Sequence, residues 1–541
     1  MLSLAKICAG FTDDLSAELH GDGSVLLERI STDTRSLKPG DVFIALRGPN
    51  HDGHDHIDAA IEAGACALII ESSAKGVGNT TVPSIVVSDS RLALGRLALL
   101  WCAHLTAQRV AVTGSNGKTT VKEMIASILT QAAGESGVHA TRGNFNNDIG
   151  LPLTCLEIGP QHRFAVLEMG ANAVGEISYL SGLARPSVAL VTSIAAAHLE
   201  GFGSIADIAR EKASIFGGVD ESGVAVFPAD SAHIDELTKA SSHCRHITFG
   251  FAASADVVGS VSDAGTPESA GSSQDAGMQR ISVQIASDLD SSLAGADFTV
   301  SLQLLGQHNR LNALAAIACC SALDVSVENI VAGLAALQPV PGRLQLRTGL
   351  PARLIDDTYN ANPASLNAAI DLLAAYGGKR VLVLGDMKEL GAAELQFHAE
   401  AGRYARESGI DCLVCVGELA AHAASEFGEN SASFTEKAEV AELLRRRLGA
   451  EHTVLFKGSR GARMEEIIEL LLEPSTAGSG RNPPSSGGVQ STSNQVGGKS
   501  STANSKTRPP AGSADFRQHQ NQTSDKLSPV GCQFGQRAVI T

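Results

Sequence analysis

Aromatic side chains are scarce in this chain: one Trp, four Tyr and 16 Phe make up only 4% of its 541 residues. The cores must therefore be filled mainly by Ala, Val, Leu and Ile, as happens where parallel strands are covered by helices. Charged residues are also few, 18% against 43% hydrophobic, which excludes a fully disordered or collagen-like chain. Long apolar runs are missing. No uninterrupted stretch approaches the roughly 18 residues of a membrane helix, so no membrane span is expected. Residues 1–10 are too short for a secretory signal, and the acids Asp13 and Asp14 follow almost at once. Positive charge is in deficit. The net charge is −16, and the last 67 residues carry seven Lys/Arg against two Asp/Glu, a net +5 that leaves the preceding body at −21. Such a body excludes nucleic-acid binding through a general basic surface. Ten cysteines at irregular intervals fit reduced thiols rather than a disulfide framework, so a soluble cytoplasmic protein is expected. Cys412 and Cys415 form a CxxC inside an apolar run, but no second Cys or His pair follows at ligand spacing, and two buried strand residues are the reading.

The length corresponds to three or four folding units at about 150 residues each. In residues 1–105, short β-like runs (41–46 and 67–71) alternate with a helical pattern at 56–63, the signature of a small α/β domain. Residues 106–338 form a second unit, with strand patterns at 110–114, 164–170 and 188–193 separated by helical periods, which implies a parallel, doubly wound sheet. Within it, 259–279 turns Ser/Gly/Ala/Asp-rich and reads as a flexible insertion. The segment QPVPG at 338–342 punctuates like a linker. A third unit, 339–474, repeats the pattern with strands at 353–357, 380–386, 412–417 and 453–458, a Rossmann-like open sheet. Residues 475–541 are Ser/Gly/Asn/Gln/Pro-rich and are expected to be disordered.

The strongest motif is TGSNGKTT at 113–120, between a strand and a helix, where backbone N–H groups and a helix N-terminus cradle phosphate oxygens. Gly114, Ser115, Asn116, Gly117, Lys118, Thr119 and Thr120 make up this loop. Lys118 is placed to reach the outer phosphates and Thr119 to hold Mg²⁺. The spacing is shortened, with glycine at Gly114 and Val112 where the usual pattern has its first glycine. The second metal-binding acid is either Glu168, ending one strand, or Asp356/Asp357, ending another. No guanine-selecting NKxD occurs.

The motifs TGSNGKTT, EMGAN (168–172), AAAHLEGFGS (195–204), EKASIF (211–216), GQHNRLNALAA (306–316), PGR (341–343) and DDTYNANP (356–363) resemble, in order, those of the ATP-dependent Mur ligases. DTRSLKPGDVFIALRG (33–48), GNFNNDIGLP (143–152), LGDMKELG (384–391) and KGSRGARME (457–465) resemble the branch that adds D-alanyl-D-alanine. The likeness covers about residues 25–472. It implies a UDP-sugar domain, a central ATPase and a C-terminal domain closing over the site. The implied partners are ATP, UDP-MurNAc-tripeptide and D-alanyl-D-alanine, and a monomer is expected. Taken alone, His198 is a structural histidine beside an apolar strand and Lys212 a solvated helix lysine. The resemblance reverses both: with Thr119 and Glu168 at one Mg²⁺, it implies His198 and a carbamylated Lys212 at a second. It also implies that Asn147 and Arg343 meet phosphates, Asn309 the adenine and Asp357 the ribose. Ser31, Thr34 and Arg35 carry over as UDP-sugar contacts, and Asn144 and Asn146 as substrate-facing residues. Lys457, Ser459 and Arg460 carry over as a loop suited to the dipeptide carboxylate. Competing readings are another amino-acid ligase of the superfamily, including a folylpolyglutamate type, and a P-loop switch protein recruiting a partner through its basic tail.

Overall fold

The computed structural model describes residues 2–11, 13–73, 80–197, 199–261 and 278–473. His198, the tail 475–541 and the middle of the expected insertion lie outside the described residues.

The first sheet runs in the order Glu18–His20, Ser84–Val87, Ala67–Glu71, Val42–Ile44, Ile30–Ser31, parallel except for the first pair. Its core is mostly aliphatic, with Phe43 and Phe11 among the few buried rings. Helix α1 (Ser90–Cys102) follows, capped by Asp89, whose carboxylate accepts from the N–H groups of Arg91 and Leu92. One stripe of α1 (Ala93, Leu94, Leu97) belongs to the core of this first unit, and another (Ala98, Cys102) to that of the next. The helix is thus shared by two cores. Arg91 pairs with Asp148 across the junction, with Nη2 2.9 Å from Oδ1. Trp101 Nε1 donates to Ile158 O at 2.9 Å. Arg109 donates to the carbonyls of Ala184 and Arg185 at 2.7 and 3.1 Å.

The central unit holds a nine-stranded sheet. Strands β1 (Gln108–Thr113), β2 (Phe164–Glu168) and β3 (Val188–Val191) lie in its interior in the spatial order β3-β1-β2, all parallel. Period-two alternation sends Val110 and Val112 to one face and Ala111 to the other. Helices α2 (Lys118–Ala133) and α6 (Gln307–Ser321) cover the first face. Helices α3 (Gly150–Leu156), α4 (Glu176–Ala184) and α5 (Ile205–Ala213) lie on the second. Each fully buried Val, Ile or Leu here contributes about 1.5–3 kcal/mol relative to exposure. At the far edge, Val257–Ser260 pairs antiparallel with Gln279–Ile285, with Ser260 opposite Ser282. Pairing therefore begins inside the stretch 259–279 expected to be an insertion. Its Ser/Gly composition hid the alternation of Val257 and Gly259 with Ile281 and Val283 on the buried face.

The third unit is a six-stranded sheet with β4 (Arg353–Asp357), β5 (Lys379–Gly385), β6 (Cys412–Val416) and β7 (His452–Lys457) in the order β4-β7-β5-β6, flanked by Gln345–Arg347 and Ser431–Phe434. All four expected strands are present. Cys412 and Cys415 sit three apart on one strand and point to opposite faces, into different cores, which separates the CxxC. Helix α7 (Pro363–Ala374) starts with a capping box of Asn362 and Ser365 and with proline in its first turn. Among the described residues no helix is long and apolar enough to cross a membrane.

Candidate functional site

The phosphate loop runs from the end of β1 into α2. Gly117 caps the helix with φ +82°, a left-handed conformation that glycine adopts without strain. A Cβ on Gly117 would stand 2.4 Å from Asn312 Oδ1, and one on Gly114 2.0 Å from Thr192 Oγ1. Both glycines are therefore needed for close approach. The loop is braced by the strand beside it: Thr192 Oγ1 donates to Asn116 O (2.6 Å), Ser193 Oγ accepts from Asn116 N (3.0 Å), and Ser115 Oγ donates to Ala195 O (2.9 Å). Thr120 is buried. Lys118 Nζ folds back on the Gly114 carbonyl at 2.7 Å. Burial lowers its pKa, Arg343 adds to the lowering and Glu168 opposes it. Such a cation gains by meeting a polyanion.

Strand register separates the two candidate acids. Glu168 stands opposite Val112 at the end of the strand beside β1. Asp356 and Asp357 belong to the other sheet, with Asp356 held by Arg347 (3.1 Å) and Thr358 (2.7 Å), and Asp357 by Lys457. Glu168 is 3% exposed; its Oε1 accepts from Asn146 Nδ2 at 2.9 Å, and its Oε2 is buried with no partner. An orphaned carboxylate oxygen close enough to the P-loop lysine to raise its pKa fits a divalent cation. No three His, Cys, Asp or Glu side chains converge among the described residues. Mg²⁺ takes one or two carboxylates and completes its shell with phosphates and water.

Lys212, near the end of α5, is 2% exposed. It is no solvated lysine. Its amine makes no hydrogen bond or ion pair among the described residues and lies 5.5 Å from the centre of the Phe202 ring. Burial, with help from Lys118, brings its pKa down to about 7. The neighbouring Glu211 only partly opposes that lowering; its carboxylate accepts from the N–H groups of Gly175 and Ile177, both at 2.7 Å, and so anchors the start of α4.

The third unit closes on the P-loop. Arg343 Nη2 donates to Thr119 Oγ1 at 2.9 Å, and its guanidinium stacks 4.1 Å from the Tyr359 ring centre. Its Nε is buried without a partner. Asn362 Nδ2 donates to Asn116 Oδ1 at 2.8 Å. Tyr359 and Asn362 lie inside the DDTYNANP motif, yet neither was singled out from the sequence. The signal for Asn362 was present as an Asn–Pro helix start.

Other expected residues are placed less openly. Asn309 is buried, with Nδ2 on Leu305 O (2.7 Å) and Oδ1 accepting from Asn312 (3.0 Å). Asn147 is exposed and spends its carbonyl on Gly150 N at 2.8 Å, starting α3. Asn144 is exposed. Lys457, expected in a loop, is the last residue of β7, and its amine is 2.5 Å from Asp357 Oδ2 and 3.0 Å from Asn360 O. A buried lysine facing a carboxylate one strand away pairs with it. Ser459 Oγ donates to Asp386 O at 2.6 Å. Arg460 stays exposed and pairs with Glu465 at 2.8 Å. In the first unit Ser31 is buried on Asp33 O (2.9 Å), Thr34 is half-buried, and Arg35 folds onto Asp33 at 2.6 Å. That contact holds the Asp33 carboxyl down at about 2.

A phosphate loop covered by a second α/β unit puts the protein among P-loop nucleotide-binding enzymes with a site assembled from two domains. Three family models match the chain: Mur ligase family, catalytic domain, over 27–101; Mur ligase middle domain over 112–320; and Mur ligase, glutamate ligase domain, over 342–460. UDP-N-acetylmuramoyl-tripeptide--D-alanyl-D-alanine ligase of Escherichia coli (strain K12) is 39% identical over 86% of this chain and 98% of that protein. A crystal structure of MurF from Acinetobacter baumannii superposes with TM-score 0.76 at 33% identity, covering 87% of this chain and 99% of that one. MurF ligase from Thermotoga maritima in complex with ADP gives TM-score 0.72 at 29% identity, covering 83% and 98%. The chain belongs to the Mur ligase family.

Proposed function

We propose that the chain is an ATP-dependent amide ligase of peptidoglycan precursor synthesis, joining the terminal carboxylate of UDP-N-acetylmuramoyl-tripeptide to the amine of D-alanyl-D-alanine. The observation that carries this reading is likeness over nearly the whole length of the E. coli tripeptide ligase, 98% of it at 39% identity.

A carboxylate resists amines because its oxygen is a poor leaving group. The γ-phosphoryl group of ATP passes to that oxygen, ADP leaves, and an acyl phosphate results. The amine then attacks the carbonyl carbon, loses a proton as the C–N bond forms, and expels phosphate. The protein's work is positioning and charge neutralisation. Lys118 sets a cation between the two anions that must meet. Thr119 and Glu168 would hold Mg²⁺, which when bound would supply charge neutralisation at the transferring group. Thr119 keeps a lone pair for it, since a hydroxyl oxygen has two and Arg343 uses one. Arg343, with Asn147, takes the phosphates, and Asp357 and Asn309 belong to the nucleoside end. The Asn362–Asn116 contact holds the third unit closed.

Lys212 is read as carbamylated. Carbamylation needs a neutral amine, and this one is buried, without a partner among the described residues and with its pKa near 7. The carbamate would give an anionic oxygen ligand for a second Mg²⁺, beside His198. Ser31, Thr34 and Arg35 serve the UDP-sugar, and Asn144 and Asn146 the peptide. With Lys457 and Ser459 engaged inside the third unit, Arg460, exposed and paired at the surface with Glu465, is the cation offered to the dipeptide carboxylate. The working form is read as a cytoplasmic monomer. The test is phosphate release by purified protein together with mass spectrometry of the pentapeptide product: turnover must require both the UDP-tripeptide and D-alanyl-D-alanine. Equal ATP turnover without any muramoyl peptide refutes the reading.

A further inference from the structure

We propose that Lys122 is a positioning residue for the metal-facing acid: it clasps the segment 141–147, and through it Glu168, to the phosphate-binding helix. The inference rests on the reading of Thr119 and Glu168 as the Mg²⁺–ATP site.

Lysine is almost never fully buried unless it is paired. Lys122 is 2% exposed, one helical turn beyond Lys118 on α2. Its ammonium donates to Thr141 O at 2.7 Å and meets the Glu123 carboxylate. Thr141 in turn is tied to β2 twice, donating its N–H to Val166 O at 2.9 Å and accepting Glu168 N on Oγ1 at 3.0 Å. Five residues on, Asn146 is tied to the same strand: its Nδ2 donates to Glu168 Oε1 at 2.9 Å, and its carbonyl accepts Gly170 N at 2.8 Å. The segment is thus pinned to β2 at both ends, and it references both the backbone and one carboxylate oxygen of Glu168. Lys122 is the link from that segment to the helix that presents Thr119. Thr119 and Glu168 lie on different elements, and a metal tolerates only a few tenths of an ångström in its ligand distances. Without the clasp, α2 and the 141–147 segment can shift against each other, and the free Oε2 of Glu168 loses its aim.

Groups that orient metal ligands typically carry 10–100-fold in metal affinity. The experiment is isothermal titration of full-length protein with a non-hydrolysable ATP analogue, once in Mg²⁺ and once in EDTA. Lys122→Met is expected to keep the EDTA affinity within about threefold of wild type while losing roughly tenfold of the enhancement given by Mg²⁺. Lys122→Arg, still a donor to Thr141 O, recovers part of it. Thr141→Val removes the acceptor for Glu168 N and should reproduce the selective loss, which also covers the case of a Lys122→Met protein that does not fold. A purely structural lysine would lower both affinities together, or leave the Mg²⁺ enhancement intact in a folded variant, and either result overturns the inference alone. A wild type with no Mg²⁺ enhancement overturns the site reading and the inference with it.

Discussion

Arg343 of the third unit donates a hydrogen bond to the hydroxyl of Thr119 in the phosphate loop, 2.9 Å away and 224 residues earlier in the chain. A planar donor fixed on an aromatic face just after a Pro–Gly turn reports closure directly to the nucleotide site. Arg343→Ala removes a charge-assisted contact of about 1.5–3 kcal/mol, so kcat/KM for ATP should fall by roughly 10–100-fold. Arg343→Lys should recover little, because an ammonium neither stacks nor forks in the same way. Steady-state kinetics against ATP checks both; an alanine variant within twofold of wild type would show that closure does not run through this residue.

The Asn116–Asn362 pair separates two roles by mutation. Asn362 caps α7 as well as touching the loop, so Asn362→Ala should cost about 0.5–2 kcal/mol of stability and lower Tm by several degrees. Asn116→Ala touches no cap, and it should raise KM for ATP with Tm almost unchanged. Calorimetry beside kinetics decides; equal Tm losses in the two variants contradict the assignment.

Lys212→Ala should lose most of the turnover while keeping the fold and ATP binding, because the phosphate loop is untouched. Short carboxylic acids in the buffer should restore part of the rate by supplying the missing oxygen ligand. Mass spectrometry under bicarbonate should show the added CO₂ on the wild type alone. A Lys212→Ala enzyme with near-normal kcat returns the residue to a structural role.

Burial holds the pKa of His139 down at about 4 and lowers that of His398, which uses Nε2 to accept the Met387 N–H at 2.9 Å. An unfolded histidine titrates near 6.5. Between the two values the unfolded chain binds more protons, so stability falls as pH drops below about 6.5. For His139 alone the loss reaches on the order of 3 kcal/mol once pH is below its folded value. Tm measured from pH 7.5 to 4.5 should fall steadily, and His139→Leu should flatten the slope. A Tm that is constant or rises toward pH 5 contradicts this.

The parts of the site legible in the sequence were those formed by neighbours in the chain. TGSNGKTT announces a strand, a turn and a helix within one local segment, and the structure keeps all three. The choice between Glu168 and Asp356/Asp357 was open, because a strand-end acid looks the same in either sheet; only the register of Glu168 against Val112 places it beside the loop. Lys457 was misplaced for a related reason. The segment KGSRG reads as a loop of free cations, whereas pairing of Asp357 with Lys457 across β4 and β7 uses up the first of them. The contact of Asn362 with the phosphate loop had no local signal, since its partner Asn116 lies 246 residues earlier in the central unit, and Tyr359 enters the site only through Arg343, 16 residues before it. Nothing local marks Lys122, since the carbonyl it meets belongs to Thr141, 19 residues further along the chain.

The two joints between the three units are built differently. Between the first and central units, α1 contributes to both cores, and two polar links unrelated to the nucleotide site (Arg91–Asp148 and Trp101–Ile158) fix the crossing. Between the central and third units, the polar links described above gather around the phosphate loop. One joint is thus a helix shared by two cores, and the other is marked by polar contacts onto the phosphate loop. A ligand at the phosphate loop would meet side chains of both the central and the third unit, so its binding energy would bear on the second joint and not on the first.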